Sequence, residues 1–259
     1  MKNSVTGFLC LLACLLGIAF AAQIMPALAD HAATAADGGA SSGFSSAQEG
    51  FDTTGDTISI TIRREVKNLI IPATARLKIA GEGTIHVADG ATLTINGPFE
   101  APLRRVFTGP GRVVFSLSSI RRVYPEWWGT GNGVESAAAI QSAIDSLSRG
   151  EVFLSARTYL LNRRIPMRLV DGSRDTVSAV LVPKSGVSIV GKGYGSVLRV
   201  TDGFTTQGDY VVFAPVKAEE TSNITFSRFR IDGNGGNNLV KEVSGGLVRR
   251  AMAIWLFKG

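Results

Sequence analysis

The carboxylates are the first side chains to consider for acid–base chemistry, and they are scattered along the chain. Asp232 follows the apolar Ile231 and precedes a glycine-rich run, which makes it a candidate catalytic carboxylate. A turn role is the preferred interpretation, because Asp tolerates unusual backbone angles. Glu219 and Glu220 are adjacent, so on a strand they would point to opposite faces. The sequence therefore presents no pair of carboxylates placed to act together.

Histidine and cysteine chemistry is excluded by number and position. The chain has two histidines, His31 and His86, so a His-based metal site or catalytic triad is not expected. Its two cysteines, Cys10 and Cys14, both lie in the N-terminal apolar run, so the remainder has neither a disulfide nor a thiol nucleophile. The glycines of residues 191–195 are not followed by a helical pattern, which argues against a phosphate loop.

Aromatic residues offer a different kind of site. Trp127 and Trp128 stand in the run Tyr-Pro-Glu-Trp-Trp-Gly at 124–129. Their rings could stack on sugars, which makes both candidate substrate-binding residues. Packing of a loop against the end of a core is the preferred interpretation, because such clusters are more often structural.

The N-terminus indicates export. Residues 8–22 are apolar or small, and Ala27-Leu28-Ala29 is a cleavage site, so 1–29 is predicted to be a signal peptide. A transmembrane anchor and a lipoprotein signal ending at Cys14 are the alternatives. Residues 30–55 are rich in Ala, Gly, Ser and Thr and are predicted to be a flexible linker.

The formal charge of +6 arises partly from basic pairs spread along the chain. A nucleic-acid module would concentrate them on one element, so no nucleic-acid partner is expected. Solvated loops explain the pairs most simply. Attraction to an acidic polymer such as a polyuronide is the alternative.

Residues 56–125 alternate apolar and polar side chains in short runs separated by Gly and Pro. This pattern predicts an N-terminal β-rich region that is a sandwich, a barrel or a solenoid. Residues 135–147 are predicted to be a helix with one apolar stripe, Ile140, Ile144 and Leu147. Ser136 suits its N-cap and Gly150 its C′ position. The stripe suggests a lid over the open end of a solenoid.

Short strands return after the helix. Around Ser227 and Arg228 the apolar phase slips by one residue, which predicts a corner where the strand turns. Ile189, Val211, Ile231 and Ile254 recur at about 20-residue intervals, which would suit one solenoid coil each.

Six runs carry a family resemblance. They are residues 93–99, 123–129, 138–145, 150–161, 186–193 and 231–235. In this order they resemble the pectate-lyase superfamily over about 84–259. The resemblance implies an all-β fold, a right-handed single-stranded parallel β-helix, over 126–259. It also implies a short N-terminal capping helix and a β-rich flank.

The resemblance also implies a function, namely an exported enzyme that acts on polysaccharide. Hydrolases of the family use paired carboxylates, and lyases use a base, often with Ca²⁺. No cofactor is otherwise evident. A non-catalytic, tailspike-like glycan-binding module is the alternative, and a homotrimer stays open. Because residues 253–259 look like the start of a coil, the sequence is interpreted as an incomplete β-helix with its catalytic coils further on. No membrane partner is expected after signal cleavage.

Overall fold

The structure is a computed structural model that describes residues 52–167, 177–216, 221–238 and 251–256. By its internal contacts the chain divides into Met1–Phe44 and Ser45–Gly259, and every described residue belongs to the second unit. The predicted signal peptide and residues 30–51 of the predicted linker lie outside the described residues. Asp52–Thr54, the end of that predicted linker, form a strand.

The region before the helix is built from ten short strands. They are β1 (Asp52–Thr54), β2 (Thr57–Ile60), β3 (Arg63–Val66), β4 (Leu69–Ile71), β5 (Arg76–Ile79), β6 (Thr84–Val87), β7 (Thr92–Ile95), β8 (Phe99–Glu100), β9 (Phe107–Thr108) and β10 (Arg112–Phe115). Every third strand pairs in parallel, giving three sheets, β2-β5-β8, β3-β6-β9 and β4-β7-β10. We call these stacked coils ladder 1. Strand β1 extends the first sheet as an antiparallel hairpin with β2.

The alternating sequence of ladder 1 produces its core. Ile58 pairs with Leu77, and Leu77 with Phe99, so the inward residues of successive coils stack. Leu77, Ile85 and Leu93 are fully buried. Burying one such side chain stabilises the fold by about 1.5–3 kcal/mol relative to leaving it exposed. Of the three alternatives left open for this region, the parallel pairing selects the solenoid.

The second part of the chain begins at the aromatic run and contains the helix. Its elements are β11 (Arg122–Val123), a 3-10 helix (Pro125–Trp128), β12 (Val134–Glu135), α1 (Ala137–Ser146), β13 (Gly150–Leu154), β14 (Thr158–Leu161), β15 (Ile165–Pro166), β16 (Ser178–Leu181), β17 (Val187–Gly191), β18 (Val197–Val200), a 3-10 helix (Phe204–Gln207), β19 (Tyr210–Phe213), β20 (Phe226–Ser227), β21 (Arg230–Asp232), a 3-10 helix (Gly235–Asn237) and β22 (Ala251–Ile254).

These strands form a second set of stacked coils, ladder 2. Its sheets are β11-β13-β17-β20, β12-β14-β18-β21 and β15-β16-β19-β22, and the pairs are parallel except β15–β16. The paired residues His86 and Thr108 of ladder 1 are 22 residues apart. In ladder 2, Ser188 and Thr225, which precede the paired Ile189 and Phe226, are 37 apart. The coils of ladder 2 are therefore longer.

The coil length of ladder 2 shows that the predicted spacing of about 20 residues per coil is wrong for this part of the chain. Ile189 lies on β17, Val211 on β19, Ile231 on β21 and Ile254 on β22, so the four markers occupy three different sheets. Their interval reflects successive strands rather than successive coils. The corner predicted at Ser227 and Arg228 does separate β20 from β21, and Arg228 has the left-handed φ of 61°.

Helix α1 packs against both ladders, because it contacts β10 of ladder 1 and β13, β14 and β16 of ladder 2. Its Ile140 and Ile144 are fully buried. Ser136 is the N-cap, but its hydroxyl donates to the Val134 carbonyl at 2.6 Å. The Glu135 carboxylate instead accepts from the Ala137 N–H at 2.9 Å, where the positive end of the helix dipole favours an acid.

The predicted C′ position of Gly150 is wrong. The helix ends at Ser146 with Leu147 as its C-cap, and Gly150 begins β13. Its φ of 144° favours glycine, and a Cβ there would stand 2.4 Å from the Arg121 carbonyl oxygen. The glycine is needed for strand contact rather than for helix termination. Within the described part of the chain, no helix is both long and apolar enough to cross a bilayer.

Candidate functional site

The candidate carboxylate Asp232 belongs to a polar cluster at the ends of β18 and β21. We call it the Asn234 network, and its members are Arg199, Asp202, Asp232, Asn234 and Asn237. Asp232 Oδ1 accepts from the Asn234 backbone N–H at 2.8 Å, and its Oδ2 lies 3.9 Å from Arg199 Nε. Both partners orient the carboxylate. The turn role preferred from the sequence matches the first of these bonds.

Asn234 is the centre of the network. Only 6% of it is exposed, and its φ of 52° lies in the left-handed region that Asn tolerates. Its Nδ2 donates to Asp202 Oδ1 at 2.6 Å and to the Val200 carbonyl at 3.1 Å. Its Oδ1 accepts from Arg199 Nη2 at 2.8 Å. This one side chain therefore links two coils of ladder 2.

Asp202 is the residue that sequence reasoning missed. Asn234 bonds Asp202 through its side chain and Asp232 through its backbone, so two carboxylates flank one asparagine. Asn237 Nδ2 donates to Asp202 as well, at 3.2 Å. The two acids are far apart in sequence, and only the coil length brings them together. The Asn residues of the glycine-rich run were the available signal, since Asn in such turns bonds neighbouring backbone and side chains.

A buried phenol adjoins the network. Tyr210 is 1% exposed and packs edge-on against Phe204, with ring centroids 5.0 Å apart. Its hydroxyl has no hydrogen-bond partner among the described residues and lies near Gly233, where an added Cβ would be 3.4 Å away. Burial raises the pKa of Tyr210, the positive charge of Arg164 opposes that rise, and the negative charge of Asp232 adds to it. Tyr210 therefore stays protonated at neutral pH.

Arg164, from the preceding coil, contacts the residues around Tyr210. Its guanidinium carbon lies 4.1 Å from the centroid of the Phe204 ring, within cation–π range. Its Nη2 donates to the carbonyls of Phe204 and Gly208, the latter at 3.3 Å. Arg164 thus holds the loop between β18 and β19 in place.

The two tryptophan candidates lie apart from this network, between the ladders. Trp127 is 3% exposed and its ring centroid is 5.1 Å from that of Phe99. Trp128 is partly exposed and packs 5.2 Å from Phe107. Trp127 therefore offers no open ring face to a sugar, whereas part of Trp128 reaches the surface. A role for either in substrate binding stays a prediction.

A buried carboxylate lies beside these rings. Glu126 is 1% exposed, and its Oε1 accepts from the Tyr159 hydroxyl at 2.8 Å and lies 3.3 Å from Arg157 Nε. The Tyr159 hydroxyl in turn accepts from the Ser155 N–H at 2.8 Å. Burial first, and then the charge of Glu126, raises the pKa of Tyr159. This is an internal connection between the aromatic run and β14, closed to large ligands.

The described residues do not provide a ligand set for a metal ion. They contain no group of three or more His, Cys, Asp or Glu side chains close enough to hold one. The carboxylates of the Asn234 network already accept N–H donors from Asn234 and Asn237. Ca²⁺, which the family resemblance implies only if the protein is a lyase, stays a prediction, and the carboxylates of the Asn234 network do not fit its oxygen shell.

The described part of ladder 2 after Glu151 is predominantly basic. Its segments 152–167, 177–216, 221–238 and 251–256 contain eight Lys and Arg residues and three acids, Asp202, Asp209 and Asp232. The eight are Arg157, Arg163, Arg164, Lys184, Lys192, Arg199, Arg228 and Arg230. Of these, Lys192, Arg228 and Arg230 are exposed. Such a surface attracts polyanions.

The fold and charge define a parallel-stranded solenoid with a basic second half. Compared with known proteins, the chain is 37% identical over 120 residues to mannuronan C5-epimerase AlgE1 of Azotobacter vinelandii, covering 44% of this chain and 8% of that relative. It is 36% identical over 115 residues to AlgE3 of the same organism, covering 43% and 6%. For AlgE2 the identity is 36% over 112 residues, covering 41% and 10%.

The chain thus spans a tenth or less of the length of these three relatives. No family model matches the chain. No solved structure matches it either.

Proposed function

We propose that this chain binds an acidic polysaccharide built of uronate residues, and that it forms part of a protein that epimerises such a polymer. The single observation that carries the proposal is the excess of positive charge in ladder 2, with eight Lys and Arg residues against three Asp in its described segments 152–167, 177–216, 221–238 and 251–256. Similarity to proteins named mannuronan C5-epimerases supports mannuronan as the polymer.

The chemistry favours epimerisation over hydrolysis. Inverting C5 of a uronate requires a base to take the proton from the carbon beside the carboxylate and an acid to return one on the opposite face. A lyase shares the first step. A hydrolase needs two carboxylates on either side of the glycosidic bond. Asp202 and Asp232 are already bonded to Asn234, so they are poorly suited to that task.

A non-catalytic glycan-binding module is the second candidate. It is favoured by the state of the described acids, because Asp232, Asp202 and Glu126 all have structural partners. In this case the chain would hold the polymer without changing it. Asp232 would then orient Arg199 rather than act as a catalytic residue.

Three further features belong to the same proposal. The coils wind with the right-handed crossover that parallel strands strongly prefer. Helix α1 closes the apolar interior of ladder 2. Residues 1–29 direct export to the periplasm or cell surface. Handedness and closure can be read from an experimental structure, and export from the N-terminal sequence of the mature protein.

The test is incubation of the full chain with polymannuronate. Proton NMR would detect the C5 epimer, ultraviolet absorbance would detect unsaturated ends, and a reducing-end assay would detect hydrolysis. Affinity electrophoresis would measure binding, with neutral mannan as the control polymer. We expect polymannuronate to retard the chain in the gel and neutral mannan to leave its mobility unchanged, whether or not the C5 epimer forms. The proposal would be refuted if the chain moved equally in the polymannuronate gel and the mannan gel and if no epimer, unsaturated end or new reducing end formed.

A further inference from the structure

A second surface of ladder 2 has the composition of a glycan-binding site. We call it the Tyr194 corner, and it consists of Lys192, Tyr194, Arg228 and Arg230. It lies where the sheet containing β17 meets the sheet containing β18, at the opposite end of β18 from Asp202. Tyr194 is 90% exposed. A buried tyrosine ring stabilises a fold through the area it buries, and the exposed ring of Tyr194 makes little such contribution.

The turn that carries Tyr194 is held rigidly. Ser196 is fully buried, and its hydroxyl donates to the Leu154 carbonyl at 2.9 Å and accepts from the Lys192 N–H at 2.8 Å. The Ser196 N–H donates to the Gly193 carbonyl at 2.9 Å. The ring is therefore presented to solvent by a fixed turn. Such preorganisation lowers the entropic cost of binding a ligand.

Glycines allow the next coil to approach this turn closely. The Gly193 N–H donates to the Arg228 carbonyl at 2.8 Å, and the Arg230 N–H donates to the Ser196 carbonyl at 2.9 Å. A Cβ at Gly191 would stand 2.2 Å from the Arg228 carbonyl oxygen. Arg228 itself adopts a left-handed φ of 61°, which is uncommon for a long side chain. The backbone thus holds two exposed arginines beside the tyrosine turn.

The four residues of the Tyr194 corner carry positive charge only. Lys192, Arg228 and Arg230 are exposed, and segments 177–201 and 221–231 contain no acid. The nearest acid along β21 is Asp232, which is engaged by Arg199 and the Asn234 N–H. Among the described residues, Lys192, Arg228 and Arg230 form no ion pair, so these cations are available to carboxylates of a ligand. A guanidinium group can bind a carboxylate through two hydrogen bonds.

We propose that the Tyr194 corner is a binding subsite for a uronate polysaccharide, in which the ring of Tyr194 stacks on the apolar face of one sugar and the flanking cations bind carboxylates. The subsite rests on the proposed function and adds to it a second point of contact. The outer face of β18 and β21, which carries Arg199, joins the corner to the Asn234 network. A strand of four residues spans roughly 13 Å, so one polymer can contact both.

The experiment measures binding of mannuronate oligomers of defined length to the full chain by calorimetry. Tyr194→Ala is expected to weaken binding by about three- to tenfold, the range typical of an aromatic contact. Tyr194→Phe should bind as the original chain does, because the ring rather than the hydroxyl makes the contact. A double substitution of Lys192→Gln and Arg230→Gln should weaken binding and reduce its dependence on salt.

Matched controls come from ladder 1. Leu117→Ala removes an apolar side chain that is 58% exposed, and Lys78→Gln removes an exposed cation. Neither should change the affinity. A Tyr194→Trp variant gives an independent readout, since its fluorescence should shift to shorter wavelength when the oligomer covers the ring.

The outcomes separate the subsite from the proposed function. If the chain binds the oligomers but the Tyr194 and cation variants bind equally well and Tyr194→Trp shows no shift, the subsite is refuted and the function survives. If the unaltered chain binds no uronate oligomer, both are refuted. Because Tyr194 is exposed, circular dichroism should show unchanged folding in every variant. A misfolded variant would contradict the rigid, exposed turn that underlies the subsite.

Discussion

At the scale of single residues, the described acids mostly serve the structure. Glu126 is buried at the start of ladder 2, where it accepts from Tyr159 and approaches Arg157. A buried carboxylate is tolerated only when such partners compensate for its lost hydration. The bond between Glu126 and Tyr159 should therefore be among the more valuable polar contacts of the fold.

Replacing Tyr159 by Phe tests this contact. The substitution removes the hydroxyl that bonds Glu126 and Ser155, so the free energy of unfolding should fall by about 1–3 kcal/mol. Urea denaturation measures the change. Tyr194→Phe removes an exposed hydroxyl and serves as the control, with no expected loss. An unchanged midpoint for Tyr159→Phe would contradict the assigned role of the bond.

The pH dependence of the same variant has a definite sign. The pKa of Tyr159 is raised in the folded state, first by burial and then by Glu126, whereas an unfolded tyrosine ionises at about 10. Its contribution is complete below that pH and is lost as pH rises above it. The stability gap between the original chain and Tyr159→Phe should therefore narrow between about pH 9 and 11. A gap that widens over this range would refute the assignment.

Much of this residue-level detail could not be predicted. The turn role of Asp232 could, because Asp before a glycine-rich run is a local signal. The position of Asp202 beside the same asparagine could not be predicted. Asp202 and Asp232 meet at Asn234 only because a coil of ladder 2 closes, and the length of that coil depends on loops whose sequence has no period. The same reason explains why Ile189 and Val211 were assigned to equivalent positions although they lie on different sheets.

At the scale of elements, glycines set how closely coils can stack. Gly97 precedes β8, and a Cβ there would lie 1.9 Å from the carbonyl oxygen of Ala75 in the preceding coil. No rotamer can relieve this contact, because both groups belong to the backbone. The alternating strands of ladder 1 were predicted from sequence, since period two needs no knowledge of neighbours. The glycine contacts were not, because they depend on the neighbouring coil.

Gly97→Ala should consequently destabilise the chain by about 1–3 kcal/mol or more, the cost of inserting atoms where there is no space. Thermal unfolding monitored by circular dichroism gives the change in midpoint. Gly235→Ala is the matched control, since no atom of the described residues lies within 4 Å of its added Cβ. Gly235→Ala should change the midpoint of thermal unfolding only as little as an ordinary surface substitution does. Equal effects of the two substitutions would show that close stacking is unimportant.

At the scale of the whole molecule, charge and fold divide along the chain. Ladder 1 contains both acids and bases on its surface, as in the ion pair between Arg76 and Glu100 at 2.7 Å. The described part of ladder 2 after Glu151 carries eight Lys and Arg residues against only three acids, Asp202, Asp209 and Asp232. Long-range attraction of a polyanion should therefore come from ladder 2.

This division predicts a strong effect of salt. Because exposed charges are screened beyond about 10 Å at 0.1 M salt, affinity for polymannuronate should fall steeply between low and high ionic strength. Calorimetric titrations at several salt concentrations measure the slope. Lys192→Gln with Arg230→Gln should flatten that slope, and Arg76→Gln in ladder 1 should leave it unchanged. If the salt dependence of the affinity changed only in Arg76→Gln, the attraction would come from ladder 1, and the prediction would be contradicted.

The regular repeat of ladder 1 has a consequence for engineering. His86 and Thr108 occupy equivalent places one turn apart, and the inward side chains repeat from turn to turn. Duplicating the stretch 77–98, one coil of 22 residues between the paired Leu77 and Phe99, should therefore lengthen this half of the protein by about 4.8 Å per copy, the distance between adjacent strands. The basic half would keep its own contacts, so an extended variant would work as a molecular spacer of adjustable length.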